Sequence, residues 1–200
     1  ESLLEQYRVN KEMMQRKWPN SKTIAYFQAF TNTYTSLDNL KRMVEPFLHM
    51  DEVVAIDIAT RPDCLEDEMI EYLNNLCKIK PIWIELGLQT FDNKIAEDFN
   101  RGYDSDVFFD TIERLKKTDL KVTVHLINGL PYESKQSMIN NAKILSDLRV
   151  DAIKIHMLHL VSDSRLGQQY LKNPFPLLSL KEYVEIVVSQ LEVIHEDIIM

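Results

Sequence analysis

The sequence has few of the residues that mark several common kinds of protein. Its two cysteines, Cys64 and Cys77, are thirteen positions apart, which fits neither a disulfide-rich secreted domain nor a zinc-binding pair. No apolar run approaches the ~20 residues that a membrane helix requires, and no signal-peptide pattern opens the chain. We therefore expect a soluble protein of the reducing cytoplasm, without a membrane partner.

Basic residues are also scarce. The chain has 23 Lys and Arg against 31 Asp and Glu, a formal net charge of −8, which argues against a broad surface for nucleic acid and leaves open only a local basic patch. It has no repeat and no Gly/Ser linker, while 45% hydrophobic residues are enough for one core. Because the chain opens on Glu1 and closes on an apolar segment without a turn signal, we interpret residues 1–200 as one domain that is incomplete at both ends.

Strand-like and helix-like apolar patterns alternate along the chain, and strands begin about thirty residues apart. The predicted strands are 23–30, 53–58, 82–88, 121–127 and 152–158. The predicted helices are 3–18, 36–47, 65–77, 106–116, 134–148 and 180–195. This spacing is that of βαβ units and predicts a parallel sheet covered by helices. It favours a partial barrel over a doubly wound sheet, because no turn carries G-x-G-x-x-G.

In a barrel, functional residues lie at the carboxyl ends of the strands. The first strand runs into the polar segment Tyr26–Tyr34, which either binds a ligand or forms a turn with side-chain caps. After the second strand, Arg61 could hold a carboxylate in bidentate fashion, or pair with Asp63 or Asp67 at the surface. Cys64 stays unassigned, since a lone cysteine is usually inert.

The third strand carries Glu85, Gly87 and Gln89 on one face by alternation. A buried Glu85 requires a partner, either a bound ligand or an internal ion pair with a residue such as Lys154. The backbone of a Gly-containing turn can approach a ligand closely.

The fourth strand runs into His125-Leu-Ile-Asn-Gly129-Leu-Pro131, where apolar groups could flank a flat ring such as adenine. Alternatively, Gly129 and Pro131 only shape a tight connection. On the fifth strand, His156 and His159 have a spacing that does not converge on one metal, so zinc is not favoured. We expect His156 to form a hydrogen bond in the barrel interior or to contact substrate.

Taken in order, these segments resemble radical SAM enzymes. Three motifs resemble those of the elongator catalytic subunit and oxygen-independent coproporphyrinogen oxidase groups: Glu85-Leu-Gly-Leu-Gln-Thr-Phe, Asn100-Arg-Gly and Gly129-Leu-Pro. Segments 26–33 and 59–64 are similar to uncharacterised bacterial proteins of the YtqA/YhcC type. The resemblance implies a partial (βα)6 TIM-like barrel of parallel strands with outer helices, here without its first strand and cluster loop. S-adenosylmethionine (SAM) would lie across the strand ends beside a [4Fe-4S] cluster.

The resemblance also implies roles for individual residues. Residues 28–31 stand where the family meets the methionine amino group of SAM, although the family's glycines are absent. Gln89 and Arg101 match groups that hold its ribose and carboxylate end. His125 stands in place of an acidic ribose or adenine contact, and residues 129–131 match the adenine-side turn. The expected cofactor-binding residues are Gln28, Thr31, Glu85, Gln89, Arg101, His125 and Gly129.

The chain departs from the family at the cluster itself, because no three-cysteine motif is present. We expect the cluster ligands to lie outside these 200 residues, and the chain alone to be inactive. The intact protein would be an iron–sulfur enzyme that takes an electron from a donor such as flavodoxin or ferredoxin. It would cleave SAM to a 5′-deoxyadenosyl radical that acts on an unknown substrate. A nucleic-acid substrate rests on family analogy alone.

Two alternatives from other classes remain open. The chain could be a barrel lyase or aldolase that uses Lys154 as a Schiff-base nucleophile with Glu85 as acid or base. It could also be a cluster-free binding or scaffold module.

Overall fold

The structure is a computed structural model and describes residues 2–200. Five strands form one sheet in the order β1-β2-β3-β4-β5, and the β1/β2, β2/β3 and β4/β5 pairings are parallel. The strands are β1 Thr23–Phe27, β2 Val53–Thr60, β3 Ile82–Gln89, β4 Lys121–Asn128 and β5 Ala152–Met157. The helices are α1 Leu3–Gln15, α2 Leu37–Leu48, α3 Asp67–Leu76, α4 Asn93–Asp98, α5 Ser105–Leu115, α6 Lys135–Asp147, α7 Arg165–Lys172 and α8 Leu180–Leu191.

All five strands begin at the predicted residues, which confirms the α/β class and the strand–helix alternation. The ends are less accurate: β1 stops at Phe27 rather than residue 30, and α8 stops at Leu191 rather than His195. Beyond α8, Ile199 forms a parallel bridge with Ala152 of β5. Helices α4 and α7 were not predicted, because six and eight residues are too few to display a helical apolar period.

Serine side chains begin several of the helices. Ser36, Ser134 and Ser179 each precede a helix in extended conformation and accept a hydrogen bond from the backbone three residues on. At α8 the cap is reciprocal, because the Glu182 carboxylate accepts from the Ser179 backbone. No helix within residues 2–200 is long and apolar enough to cross a membrane.

The chain divides into two compact units. The first contains residues 2–86 and 111–122, and its core packs α2 against β1 and β2, with Phe27 and Phe47 edge to face at 5.5 Å. The second contains residues 87–110 and 123–200. Its core includes the fully buried Phe108, against which Phe91 packs edge to face at 5.5 Å.

Along most strands, buried residues alternate with more accessible ones. In β2, Ile56 and Ile58 are buried while Asp57 and Ala59 are only half-buried, and in β4 the half-buried His125 lies between buried neighbours. One face of these strands therefore lies in the core, and the other, the open face, carries polar side chains such as Asp57 and His125.

Candidate functional site

In the first unit, the loop after β1 is anchored by Asn32. Its side-chain Nδ2 donates to the carbonyl of Phe27 at 2.8 Å and to that of Ala59 at 2.9 Å, and its backbone amide also donates to Ala59. One side chain thus joins the carboxyl ends of β1 and β2. With the loop held at this point, Gln28 is exposed and Thr31 is half-buried.

The open face of the same unit carries a hydrogen-bonded tyrosine and carboxylate. The Tyr26 hydroxyl donates to Oε2 of Glu85 at 2.5 Å, and Glu85 is only 2% exposed. Burial, together with this hydrogen bond and the nearby carboxylate, raises the pKa of Tyr26. Tyr26 is therefore one partner of the buried Glu85, and this pairing was not predicted.

Arg61 pairs with Asp63, which is the surface ion pair predicted from the sequence as the alternative to ligand binding. It forms a bidentate contact with Asp63, Nε to Oδ1 at 2.9 Å and Nη2 to Oδ2 at 2.6 Å. Asp67, the other partner considered, is paired with Arg114 at 2.9 Å. Burial raises the pKa of the Cys64 thiol, which disfavours the reactive thiolate form.

In the second unit, β3 ends in a tight turn at Gln89. The Thr90 amide donates to the Leu88 carbonyl at 2.9 Å, and Gln89 between them has φ +66°. This is a γ-turn of the positive-φ form, which is rare and strained for a residue with a side chain. The Gln89 amide folds back over Gly87, where an added Cβ would lie 2.8 Å from its Nε2.

Arg101 holds this turn in place. Its Nη1 donates to the Leu88 carbonyl at 3.1 Å and to the Thr90 carbonyl at 2.6 Å, the two residues that flank Gln89. Nε donates to the Tyr103 carbonyl at 2.8 Å and Nη2 to Oδ1 of Asn93 at 2.9 Å. Four of the five guanidinium N–H groups therefore bind protein acceptors in a side chain that is 6% exposed.

A second buried network connects the same loop to the start of α6. Oε1 of Glu133 accepts hydrogen bonds from Thr90 at 2.7 Å, Asn141 at 2.8 Å and Ser137 at 3.3 Å. Its Oε2 is buried without a hydrogen-bond partner. Burial raises the pKa of Glu133, although its three hydrogen bonds act in the opposite direction.

His125 and His156 form a pair on the open face of β4 and β5. The rings stack with centroids 5.0 Å apart and an interplanar angle of 27°, and Nε2 of His156 lies 3.1 Å from Nδ1 of His125. Lys154 is the registered neighbour of His125. His156 thus forms a hydrogen bond as expected, but its side chain is exposed rather than enclosed in an interior.

The turn after β4 is shaped by Gly129. This residue has φ +89°, and an added Cβ would lie 3.1 Å from Cδ1 of Leu178, so a glycine is required here. Asn128 does not reach the open face. Its amide exchanges hydrogen bonds with buried Gln190 of α8, at 2.7 and 3.0 Å.

Comparison with known proteins decides the family. Residues 6–145 match the radical SAM superfamily and residues 150–200 match its C-terminal domain. The chain belongs to the radical SAM superfamily. This confirms the resemblance read from the sequence.

Two relatives and one solved structure illustrate the likeness. The chain is 42% identical to the uncharacterized protein YtqA of Bacillus subtilis, over 100% of this chain and 62% of YtqA. It is 32% identical to YhcC of Escherichia coli, over 80% of this chain and 52% of YhcC. The structure of Methanocaldococcus infernus Elp3 with an N-terminal deletion superimposes with a TM-score of 0.85 at 20% identity, over 98% of this chain and 51% of that one. The partial-barrel fold is thereby confirmed, and the chain spans less than two thirds of these relatives.

Radical SAM membership implies a [4Fe-4S] cluster and SAM, which the residues fit to different degrees. Within residues 2–200, no three His, Cys, Asp or Glu side chains are grouped to hold a metal ion, and burial raises the thiol pKa of both cysteines. These residues do not fit a cluster. For SAM, the second unit offers the Gln89 amide, the His125 imidazole and the Gly129 turn, which supply suitable donors, acceptors and accessible backbone.

Three further residues shape these loops but are not among the seven expected cofactor-binding residues: Asn32 in the first unit, and Thr90 and Glu133 in the second. Each lies within or beside a segment that the sequence marks as polar at a strand end, but each acts on backbone or on a distant side chain. Thr90 is fully buried. The one sequence signal for its role was its position directly after Gln89.

Proposed function

We propose that this chain is the SAM-binding part of a radical SAM enzyme. The chain belongs to this superfamily, and the observation that carries the proposal is the turn at Gln89, whose two flanking carbonyls accept hydrogen bonds from Arg101. A strained backbone maintained by a buried arginine fixes the direction of one amide side chain at a strand's carboxyl end, where barrel enzymes bind ligands.

The proposed contacts follow from the chemistry of the side chains. Gln89 offers both a donor and an acceptor to the ribose hydroxyls, and His125 offers a ring nitrogen to the ribose or adenine. Gln28 and Thr31 are proposed to meet the amino-acid end of SAM. Because four N–H groups of Arg101 bind the protein, we propose that Arg101 acts on SAM chiefly by fixing Gln89. Glu85, which accepts from Tyr26, is proposed to maintain a polar open face.

In the proposed enzyme, ligands outside these 200 residues would hold a [4Fe-4S] cluster, which would supply the electron that cleaves SAM to methionine and a 5′-deoxyadenosyl radical. A small electron carrier such as flavodoxin or ferredoxin would reduce it. The radical would abstract hydrogen from a substrate whose identity is open. The residues of this chain orient SAM and limit its contact with water.

The test is to reconstitute the full-length protein anaerobically, reduce it, and measure 5′-deoxyadenosine released from SAM. We expect release by the wild type and at least about tenfold weaker SAM binding by Gln89→Ala, because a ligand hydrogen bond is lost. Gln136→Ala is the matched control, since Gln136 is an exposed glutamine on α6. An iron-loaded, folded protein that releases no 5′-deoxyadenosine contradicts the proposal.

The Schiff-base alternative makes a distinct prediction. It requires borohydride to trap a carbonyl substrate covalently on Lys154. A radical SAM enzyme forms no such adduct, so peptide mapping after borohydride treatment separates the two functions.

A further inference from the structure

The turn after β4 places an aromatic residue where a glycine would be expected. The Glu133 amide donates to the Leu130 carbonyl at 3.1 Å and closes a β-turn with Pro131 second and Tyr132 third. Tyr132 has φ +65°, the value that the third residue of a type II turn requires. Glycine and asparagine adopt this conformation readily, whereas a bulky side chain does so under strain.

Packing does not account for the tyrosine. Its side chain is 76% exposed, so the ring contributes little to the hydrophobic core. Strained backbone conformations are often found at functional sites. Core packing therefore does not explain the tyrosine, and its ring is accessible to a ligand.

A cavity of about 360 Å³ opens beside this ring, within the second unit. Phe99, Pro131 and Phe175 are among the residues that line it, and the ring centroids of Tyr132 and Phe175 are 6.4 Å apart. Asp98 and Lys172 add one carboxylate and one ammonium group. A cavity of this size, mostly apolar with a few polar groups, matches the usual form of small-molecule sites.

None of the seven residues expected to bind SAM lines this cavity. Its walls come from α4, from the turn at Pro131 and Tyr132, and from α7 with the residues that follow it. Of the segment matched to the adenine-side turn, residues 129–131, Pro131 alone lines the cavity. The other lining side chains lie outside the proposed cofactor site, so the argument for the cavity does not depend on that proposal.

We propose that this cavity binds a planar aromatic ring of one or two fused cycles, stacked on Tyr132. Offset stacking between rings is favourable beyond the area it buries, and Asp98 and Lys172 match polar substituents at the edge of the ring. The ligand is a second small molecule, distinct from SAM.

The experiment measures binding of indole to the full-length protein by NMR titration, with octahydroindene as an uncharged saturated probe of similar size. Wild type and Tyr132→Phe should bind indole alike, and Tyr132→Asn should bind at least about tenfold more weakly, because asparagine tolerates the turn but has no ring. Tyr34→Asn is the matched control, since Tyr34 is an aromatic that is 82% exposed in the other unit. The melting temperature of Tyr132→Asn should equal or exceed that of the wild type, so weaker binding would not reflect unfolding.

Four results would overturn the proposal. The first two are that indole fails to bind saturably, or that Tyr132→Asn binds it as well as the wild type does. The third is equal affinity for octahydroindene, which would show a site without ring preference. The fourth is displacement of indole by SAM, which would assign the cavity to the cofactor. Failure of SAM cleavage, in contrast, bears only on the proposed function.

Discussion

The amide of Gln89 occupies the space that a side chain at Gly87 would need. An added Cβ at Gly87 would lie 2.8 Å from Nε2 of Gln89, closer than such atoms approach each other in proteins. The position of the amide therefore depends on a missing methyl group two residues earlier as well as on the clamp from Arg101.

Replacement of Gly87 by alanine should separate the position of Gln89 from the stability of the fold. Gly87 has no positive φ, and the obstructing atom is the end of a flexible side chain, so we expect the free energy of unfolding to change by less than about 1 kcal/mol. The Gln89 amide must move, and its side-chain NMR resonances should shift. SAM affinity should fall about fivefold under the proposed function. Unchanged Gln89 resonances would contradict this prediction.

Arg101→Lys should destabilise the protein by about 2–4 kcal/mol, because one ammonium group cannot reach four acceptors and buried carbonyls would lose their donors. Urea denaturation gives the free energy of unfolding. Arg8→Lys is the control, since Arg8 is an exposed residue of α1, and its effect should be within about 0.5 kcal/mol. Equal effects of the two substitutions would show that the clamp contributes nothing.

Glu133 should make a contribution to the free energy of unfolding that decreases as pH rises, which is the opposite of the usual trend for a carboxylate. Its folded pKa is raised, so its contribution to stability is fully present below the unfolded value of about 4.3 and is lost as pH rises through the folded value. Glu133→Gln cannot ionise, so the stability of the wild type relative to this variant should decrease as pH rises from 4 towards 7. Chemical denaturation at several pH values measures the difference.

Glu182 provides the control of opposite sign. Its hydrogen bonds to Ser179 lower its pKa, so its contribution is present above the unfolded pKa and is lost as pH falls through the folded value. The wild type should therefore gain stability relative to Glu182→Gln as pH rises through this range. The same trend in both variants would refute the assignment for Glu133.

Tyr26→Phe should remove one hydrogen-bond donor to Glu85 and destabilise the fold by about 1–3 kcal/mol at neutral pH, because that carboxylate is buried. The pKa of Tyr26 is raised, so its contribution is present below the unfolded value of about 10 and is lost as pH rises through the folded value. The variant should lose less stability than the wild type above pH ~10. Burial raises the pKa of Tyr72 to about 12, so Tyr72→Phe should show a similar alkaline trend.

The sequence was sufficient to predict the strands, because β-branched runs at regular spacing leave few alternatives. It was not sufficient for the short helices. α4 depends on Asp92, which caps Ile95, and on contacts that appear only once the chain is folded. The same limit applies at Arg101: the motif identifies the residue, but its acceptors are backbone carbonyls, which no sequence pattern reveals.

The polar pairings of the candidate site depend on long-range contacts. Tyr26 and Glu85 are 59 positions apart, and His125 and His156 are 31 apart. Strand alternation predicts that such residues share a face with neighbours, but the register that brings two of them into contact is set by the packing of whole strands. The role of Gly87 was anticipated only as freedom for a close approach, and the group that approaches is the protein's own Gln89.

The Asn32 side chain makes the last hydrogen bonds between β1 and β2, where backbone groups make the others. The side-chain amide of Asn32 donates to a carbonyl at the end of β1 and to another at the end of β2. These hydrogen bonds keep the two strand ends together next to the exposed loop residues. Substitutions among those residues can therefore change the surface that the loop presents while the strands remain paired.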